Sequence, residues 1–506
     1  MEEKNLTTSR FIYPPKDEEH RLDGYAHNDL LFEGKHFAAF NITLDNELNQ
    51  KWGHLRYVVG NFAGLISKVT ADMLFSEPAK FKFNNKENQK FADALVFENK
   101  LHLQNYESAL ANSARGDAVF KLRAGKRYPN DDHDSLIIED TSPYVYFPRL
   151  NSNNIRQKPE VEELAWIIKQ GSNDFVRKEI HYPGTIENQL WSYNSSSKKL
   201  IAKIPWNEDA MGMPEFVETK VSRNLIVHIP NWRVGTRYYG YSDYDDLHQL
   251  FFALNNRMTK IDGILDKHSD PILAVPEGIL DEEGKVRAEH IKVFEVSSNN
   301  EGGIDKPEYI VWNANLESAF SEVDKIVDMM FMFSEISPAT MGMDKDGAPA
   351  SGRALKLKLL RTIAKVRRKQ LYYDQGLKEL MTLAQELAKA WNLKAYGSDG
   401  MAVSAPSKIE TPEIEFSDGM INDTREMAEE EEIRLRSGTT TQSDAIMRLD
   451  EVDEATAKKK VKQITEEQGV DLPLATAADP NDPKNVPVPP PMPKPDTIPV
   501  PAPTGG

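Results

Sequence analysis

Apolar residues recur at every third or fourth position through several long stretches of this chain, a period that predicts amphipathic α-helices. The clearest stretch covers residues 316–335, and another covers residues 351–392. Residues 336–350 lie between them and contain two prolines and two glycines, which predict a loop. We expect one side of the second helix to face a core, because its apolar stripe consists of Leu355, Leu359, Ile363 and Val366.

Other stretches with the same period surround this pair. They predict helices at residues 46–76, 88–114, 243–267 and 424–436, and short helices that start at Thr441 and Val452. Ser242 and Asp245 form a capping-box pattern, which is typical of a helix start. Residues 1–45 mix turn residues with short apolar pieces, so we expect an irregular arm there.

The pattern of apolar and polar residues between residues 117 and 235 is different. Short apolar runs alternate with clusters of Gly, Pro, Asn, Asp and Ser, which predicts an antiparallel sheet with Gly184 at a hairpin tip. These strands and the helices before them predict an α+β domain. Residues 271–313 carry three more strand-like runs. We therefore expect a small β-rich module at the tip of an antiparallel pair formed by the helices 243–267 and 316–335.

Composition narrows the class of protein. The chain has 506 residues, enough for two to four domains, and a formal net charge of −17. Such an acidic protein does not hold nucleic acid tightly by bulk charge. The chain has no cysteine, and no run of eighteen apolar residues, so we expect a soluble intracellular protein without a membrane span. Twelve of the last 34 residues, 473–506, are proline, which predicts a disordered tail.

The start of the helix at 351–392 reverses this acidic character. Its first twenty residues contain no Asp or Glu but eight basic residues, Arg353, Lys356, Lys358, Arg361, Lys365, Arg367, Arg368 and Lys369. Three interpretations stay open for this basic face. It is a solvated helix face, a surface that pairs with acidic residues of a neighbouring subunit, or a contact for DNA.

Candidate catalytic and metal sites are few. Asp131, Asp132 and Asp134 could hold a divalent cation, but their spacing matches no established ion loop, and an exposed acidic turn is favoured. The sequence has no phosphate-binding Gly-x-x-x-x-Gly-Lys-Ser/Thr loop and no Gly-x-Ser-x-Gly nucleophile elbow. We expect no enzyme activity, cofactor or metal. Two functions stay open from the residues alone. One is a metal-dependent enzyme of nucleic-acid processing, and the other is a helical scaffold or adaptor that forms no channel.

The order of these elements, and several short stretches, resemble the siphophage-type portal proteins of tailed bacteriophages. The stretches are Asn61-Phe-Ala-Gly-Leu-Ile, Met73-Leu-Phe-Ser-Glu-Pro78, Arg115-Gly-Asp-Ala-Val-Phe-Lys, Gly240-Tyr-Ser-Asp-Tyr-Asp-Asp-Leu, Leu265-Asp-Lys-His-Ser-Asp-Pro271 and Ser351-Gly-Arg-Ala-Leu-Lys. Together they span residues 60–460 or so, and their order is more specific than any one of them. None is a catalytic signature.

The resemblance implies a portal-like α+β fold whose parts follow one another along the chain. These are an N-terminal arm (1–45), a wing with an antiparallel sheet (46–242), stem helix one (243–267), a β-rich clip (268–313), stem helix two (314–336), a tunnel loop (337–350), a long helix and wing return (351–422), a helical crown (423–472) and the disordered proline-rich tail (473–506).

The resemblance also implies a function. Portal proteins form a ring of about twelve copies at one capsid vertex, through which double-stranded DNA is packaged and ejected. The implied partners are the large terminase subunit, the major capsid and scaffolding proteins and a head-tail adaptor, with assembly in the host cytoplasm and a final place in the virion. Channel residues are expected in the tunnel loop, at Met341, Met343, Asp344, Lys345 and Asp346.

Overall fold

The computed structural model describes residues 11–41, 57–128, 130–235, 237–268, 272–276, 292–296, 308–310, 316–343, 352–417, 424–450, 452 and 454–468. Its α-helices are α1 (Glu19–Phe32), α2 (His36–Ala39), α3 (Phe62–Phe75), α4 (Lys86–Glu98), α5 (Leu101–Arg115), α6 (Glu208–Met211), α7 (His248–His268), α8 (Leu316–Ser334), α9 (Gly352–Trp391), α10 (Thr424–Arg436), α11 (Gln442–Leu449) and α12 (Glu454–Gln468). The chain divides into two compact units, residues 1–420 and 421–506.

The strands all belong to the first unit. They are β1 (Lys80–Lys82), β2 (Asp117–Gly125), β3 (Ser135–Thr141), β4 (Tyr146–Arg149), β5 (Val161–Gln170), β6 (Asn173–Tyr182), β7 (Thr185–Asn194), β8 (Lys199–Ile204), β9 (Phe216–Glu218), β10 (Ile226–Pro230), β11 (Ile272–Pro276), β12 (Lys292–Val296), β13 (Glu308–Ile310), β14 (Lys394–Tyr396), β15 (Ala402–Ser404) and β16 (Glu413–Glu415).

The antiparallel sheet predicted between residues 117 and 235 is confirmed, and it divides into two. Strands β4 to β8 form a continuous antiparallel sheet in chain order, and β9 pairs with β7. Strand β2 lies between β10 and β3 in a separate antiparallel sheet. Gly184 sits in the two-residue turn between β6 and β7 with a φ of 90°, a conformation that glycine adopts without strain.

The largest core lies between the β2 sheet and a layer of helices. Helices α3, α4, α5 and α9 bury their apolar sides there against β2, β3 and β10. The single helix expected at 88–114 is instead two helices, α4 and α5. The break falls at Asn99 and Lys100, and Lys100 has a left-handed φ of 50°. The helix expected at 46–76 spans Phe62–Phe75, and residues 42–56 lie outside the described residues.

The irregular arm expected for residues 1–45 is wrong over the residues that the structure describes. Residues 19–32 form α1, which packs on α5 and α3. Apolar residues on α1 are sparse, and Tyr25 and Leu31 are the buried ones. Polar contacts complete the packing, because buried Asn28 donates to Ala114 O at 2.9 Å and Arg115 binds Asp29. A search for apolar periodicity cannot detect such a helix.

Helices α1 and α7 bring together two imidazole rings. The ring centroids of His27 and His248 are 4.8 Å apart, Phe40 packs on His27, and His248 Nε2 is 2.8 Å from Asn28 Oδ1. Burial, together with a smaller contribution from the nearby His27, lowers the pKa of His248 to about 4. Burial also lowers the pKa of His27. Both rings are therefore neutral in the folded protein near neutral pH.

This histidine pair predicts a loss of stability in mild acid. The unfolded chain binds protons at these rings below a pH of about 6.5, whereas folded His248 resists protonation down to about 4. The contribution of these two rings to the free energy of unfolding therefore falls as the pH drops through this window. The raised pKa values of Asp140 and Asp245 act in the opposite direction in this window, so the histidine effect is measured as a difference between two chains. Between pH 7 and pH 5 we expect the thermal midpoint of His248→Gln, which cannot titrate at this position, to rise relative to that of the parent chain. An identical pH profile in the variant would contradict this expectation.

Helices α7 and α8 run antiparallel, as expected. Ser242, Asp243 and Asp246, just before α7, line a cavity together with residues 333–335 at the end of α8. Arg257 in α7 pairs with Glu322 in α8. The chain between them forms the expected strands, with β11 parallel to β12 and antiparallel to β13. Helix α7 starts at His248, later than expected, because Ser242 and Asp245 cap the preceding turn instead.

The second unit contains the helices expected for the crown, α10, α11 and α12. Thr441 caps α11, since its side chain accepts a hydrogen bond from Asp444 N. Buried Glu431 joins α10 to α11 through Arg448 at 3.0 Å. Residues 469–506, which include the whole proline-rich tail expected at 473–506, lie outside the described residues.

Candidate functional site

Helix α8 ends in a tight turn, after which the chain contacts α9. Glu335 adopts a left-handed φ of 60°, and Ile336 N donates back to Phe331 O at 3.2 Å. This bond satisfies a carbonyl that the helix end would otherwise leave open. Ile336 is buried beside the end of α8, so its burial holds the turn in place. The path of the next residues is therefore set by packing at the end of α8.

The described part of the segment 337–350, where the tunnel loop is expected, continues from this turn. Ser337 N donates to Thr362 Oγ1 in α9 at 2.7 Å, and Ser337 caps a 3₁₀ turn over residues 338–341. Met341 packs against the core between α3, α7 and α8, whereas Met343 is exposed. The other three expected channel residues, Asp344, Lys345 and Asp346, lie outside the described residues.

A buried group of charges, which we call the charged junction, joins α9 to the ends of α7 and α8. Its members are Ser113, Asn231, Asp243, Ser334, Lys365 and Lys369. Lys369 Nζ is 2.6 Å from Asp243 Oδ2, and Lys365 Nζ is 3.2 Å from Asp243 Oδ1. Ser113 Oγ donates to Asp243 at 2.6 Å, and Lys365 also donates to Ser334 O at 2.8 Å.

The electrostatics of the junction follow from burial and pairing. Burial alone would raise the pKa of Asp243, but Lys365 and Lys369 outweigh it, so that pKa lies well below its usual range. Burial lowers the pKa of Lys369 to about 8, although Asp243 opposes the shift. One buried carboxylate thus faces two buried ammonium groups, and neutral oxygens from Asn231 and Ser334 complete their hydrogen bonds.

A second ion cluster lies next to the junction. Both carboxylate oxygens of Glu335 bind guanidinium groups of α9, one from Arg361 and one from Arg368. Glu335 is mostly buried, whereas the side chain of Arg361 is largely exposed. These contacts fix the turn after α8 to two positions on α9 that are about two helical turns apart.

The basic face expected on α9 is therefore only partly a surface. Lys365 and Lys369 are buried within the chain, so in this structure they are neither solvated nor open to DNA or a neighbouring subunit. Arg361 and Arg368 keep some exposure but pair with Glu335. Lys356 and Arg367 are exposed, and Lys358 is half-buried. The side chain of Arg353 lies outside the described residues.

The acidic turn considered for a metal ion has a local structural role. Asp131 accepts a hydrogen bond from Tyr128 N at 2.7 Å, which closes the turn between β2 and β3. Among the described residues, no group of three or more His, Cys, Asp or Glu side chains is placed to hold a metal ion. No helix of the described chain is both long and apolar enough to cross a membrane.

Several of the residues that organise this region escaped prediction from the sequence. The sequence pattern places Asp243 only as the first residue of the helix expected at 243–267, and no motif marks Asn231 or Glu335. One signal was present, because Lys365 and Lys369 are four residues apart and so lie on the same side of α9 as the buried Thr362. Two lysines beside a buried stripe suggest a buried acidic partner, but they do not identify it.

Comparison with known proteins identifies the family. Residues 15–470 match the family model described as phage portal protein, SPP1 Gp6-like. The match covers most of the chain, so the chain belongs to this portal family. A search of curated protein sequences found no match. Among solved structures, a chain of "Virion of native gene transfer agent (GTA) particle" aligns with a TM-score of 0.35 and 12% identity, over 80% of this chain and 93% of that chain.

Family membership confirms the resemblance found in the sequence. The portal family is a family of structural proteins of the virion, located at a capsid vertex, and membership implies assembly into a capsid-associated ring. The α+β class is confirmed as well, with antiparallel sheets and long helices in the described residues.

Proposed function

We propose that this chain is the repeating subunit of a ring that conducts double-stranded DNA into and out of a capsid. Portal family membership over residues 15–470 carries this proposal. In it, α7 and α8 are the stem helices and residues 268–313 are the clip, where the packaging terminase and later a head-tail adaptor dock. Major capsid and scaffolding proteins surround the ring during assembly, and its copy number is about twelve.

The charge distribution suits such a conduit. DNA carries one phosphate charge per ~1.7 Å of axis, so a wall that binds phosphates would hold the duplex still. A subunit with net charge −17, repeated around an axis, repels the polyanion instead. Residues 337–350 are proposed as the tunnel loop, with Lys345 between Asp344 and Asp346 as an isolated positive point that guides the duplex.

The anchoring of the loop supports its role. The charged junction and Glu335 fasten the end of α8 to residues 361–369 of α9, and Ser337, just after α8, bonds to Thr362. Loops that carry function are commonly presented from a rigid base of this kind.

Electron microscopy of the purified full-length chain tests the proposal. We expect a closed ring with a central hole wide enough for a duplex, and residues 337–350 on the wall of that hole. Assembly is also tried with the scaffolding and capsid proteins, since ring closure can depend on them. A particle without a hole, or residues 337–350 on the outer rim, would contradict the proposal and favour a scaffold without a channel.

A further inference from the structure

Two helix faces of the first unit expose apolar side chains that no other described part of the chain covers. On α9, Leu357, Leu360 and Leu371 are 67%, 60% and 72% exposed. With exposed Ala364 they lie at spacings of three, four and seven residues, so they form one ridge along the helix. We call these four residues the α9 ridge. It lies opposite the buried stripe that contains Ile363 and Val366.

The second face is at the end of α8. Met329, Met332 and Phe333 are 38%, 70% and 55% exposed, and they are spaced three and four residues apart. We call these three residues the α8 patch. Single exposed apolar residues are ordinary, but grouped ones on one helix face mark a contact surface.

The charges beside the two surfaces are opposite. Helix α8 carries four acidic residues, Glu317, Glu322, Asp324 and Asp328, and one lysine. Residues 352–373 of α9 carry no acidic residue. Asp243 and Glu335 supply two negative charges against four cations of α9, so a positive surplus remains. Among the described residues, no ion pair neutralises the exposed Arg367 of α9 or the exposed Asp324 of α8.

We infer that the α9 ridge of one copy packs on the α8 patch of the next copy. This inference rests on the proposed ring and names the surfaces that build it. Two different patches on each copy make a head-to-tail contact, which generates a ring when the rotation closes. Leucine side chains form no hydrogen bonds or ion pairs with DNA phosphates. Their burial against methionine and phenylalanine side chains is favourable, because it removes apolar surface from water. The opposite charges of the two helices favour this pairing over ridge against ridge.

The absence of cysteine from the chain allows a direct test by cross-linking. Leu360→Cys and Met332→Cys are prepared separately in the full-length chain and treated with a short bis-maleimide, alone and mixed. We expect cross-linked dimers in the mixture and at most traces in either variant alone. Leu103→Cys is the matched control, because Leu103 is an exposed leucine, 53% accessible, on α5. Mixed with Met332→Cys, it should give no cross-link.

The outcomes separate this inference from the proposed function. Cross-linking of Leu360→Cys with itself, or no cross-linking in the mixture, overturns the inference. If rings with a central hole form without that cross-link, the ring stands and the assigned surfaces are wrong. If the cross-link forms in particles without a hole, the contact stands and the conduit is wrong.

Substitution of the ridge gives a second readout. Leu357→Asp with Leu360→Asp should reduce ring formation more than tenfold by native mass spectrometry, with an unchanged thermal midpoint of the separated subunit. Met332→Asp with Phe333→Asp should do the same. Rings of normal abundance in either double variant overturn the inference, and if such rings no longer retain DNA, the surface faces the channel instead.

Discussion

Replacement of Asp243 by Asn is expected to lower the free energy of unfolding by about 3–5 kcal/mol, the range for breaking a buried ion pair. The carboxylate is the shared anionic partner of Lys365 and Lys369, which are both buried. The amide fills nearly the same space but brings no charge, so two ammonium groups would be left buried together. The loss of stability should be visible as a lower denaturation midpoint by circular dichroism.

Two further variants show whether charge is the cause. Asp246→Asn removes an aspartate that lines the same cavity of about 260 Å³ but is exposed, and its effect should stay within about 0.5 kcal/mol. Lys369→Met added to Asp243→Asn restores the original excess of one positive charge, and it should recover part of the lost stability. Equal stabilities of the Asp243 and Asp246 variants would show that the junction does not hold the helices together.

The junction also marks the limit of inference from the sequence. Both ends of α9 were predicted to within a residue or so, because forty residues run without a proline and keep a helical apolar period. The same pattern placed Lys369 on a basic surface, yet its partner lies 126 residues earlier in the chain. Periodicity describes one helix at a time, whereas burial of a charge depends on what another element brings to it.

Strand β5 was not among the strands predicted from apolar runs, and the cause is related. Val161–Gln170 contains charged residues in its first half, where an apolar alternation would have marked a strand. The sheet instead buries Glu162, which accepts hydrogen bonds from Tyr146 and Asn224. Polar residues with distant partners thus hid both β5 and α1. The helix pair and the three strands between the helices were predicted because their signals are local.

The sharpest backbone constraint in the first unit is the approach of two glycines. Gly116, which ends α5 with a φ of 92°, lies against Gly240, and a Cβ on Gly240 would be 2.0 Å from Gly116 O. Gly116 O also accepts a hydrogen bond from Asn231 N at 2.7 Å, and Gly240 N donates to Asp117 Oδ1 at 2.8 Å. The contact therefore sets the path of the chain into Ser242 and the charged junction.

Gly240→Ala is therefore expected to destabilise the first unit by about 3 kcal/mol or more, the upper range for overpacking a close-packed site. The new methyl group meets backbone atoms, which cannot rotate away as a side chain can. Gly24→Ala is the matched control, because a Cβ there meets nothing within 4 Å and Gly24 lies inside α1. That control should be stabilised by up to about 1 kcal/mol through helix propensity. Denaturation midpoints that shift in opposite directions would confirm the constraint. An unchanged midpoint for Gly240→Ala would show that the backbone segments at Gly116 and Gly240 can move apart without loss of stability.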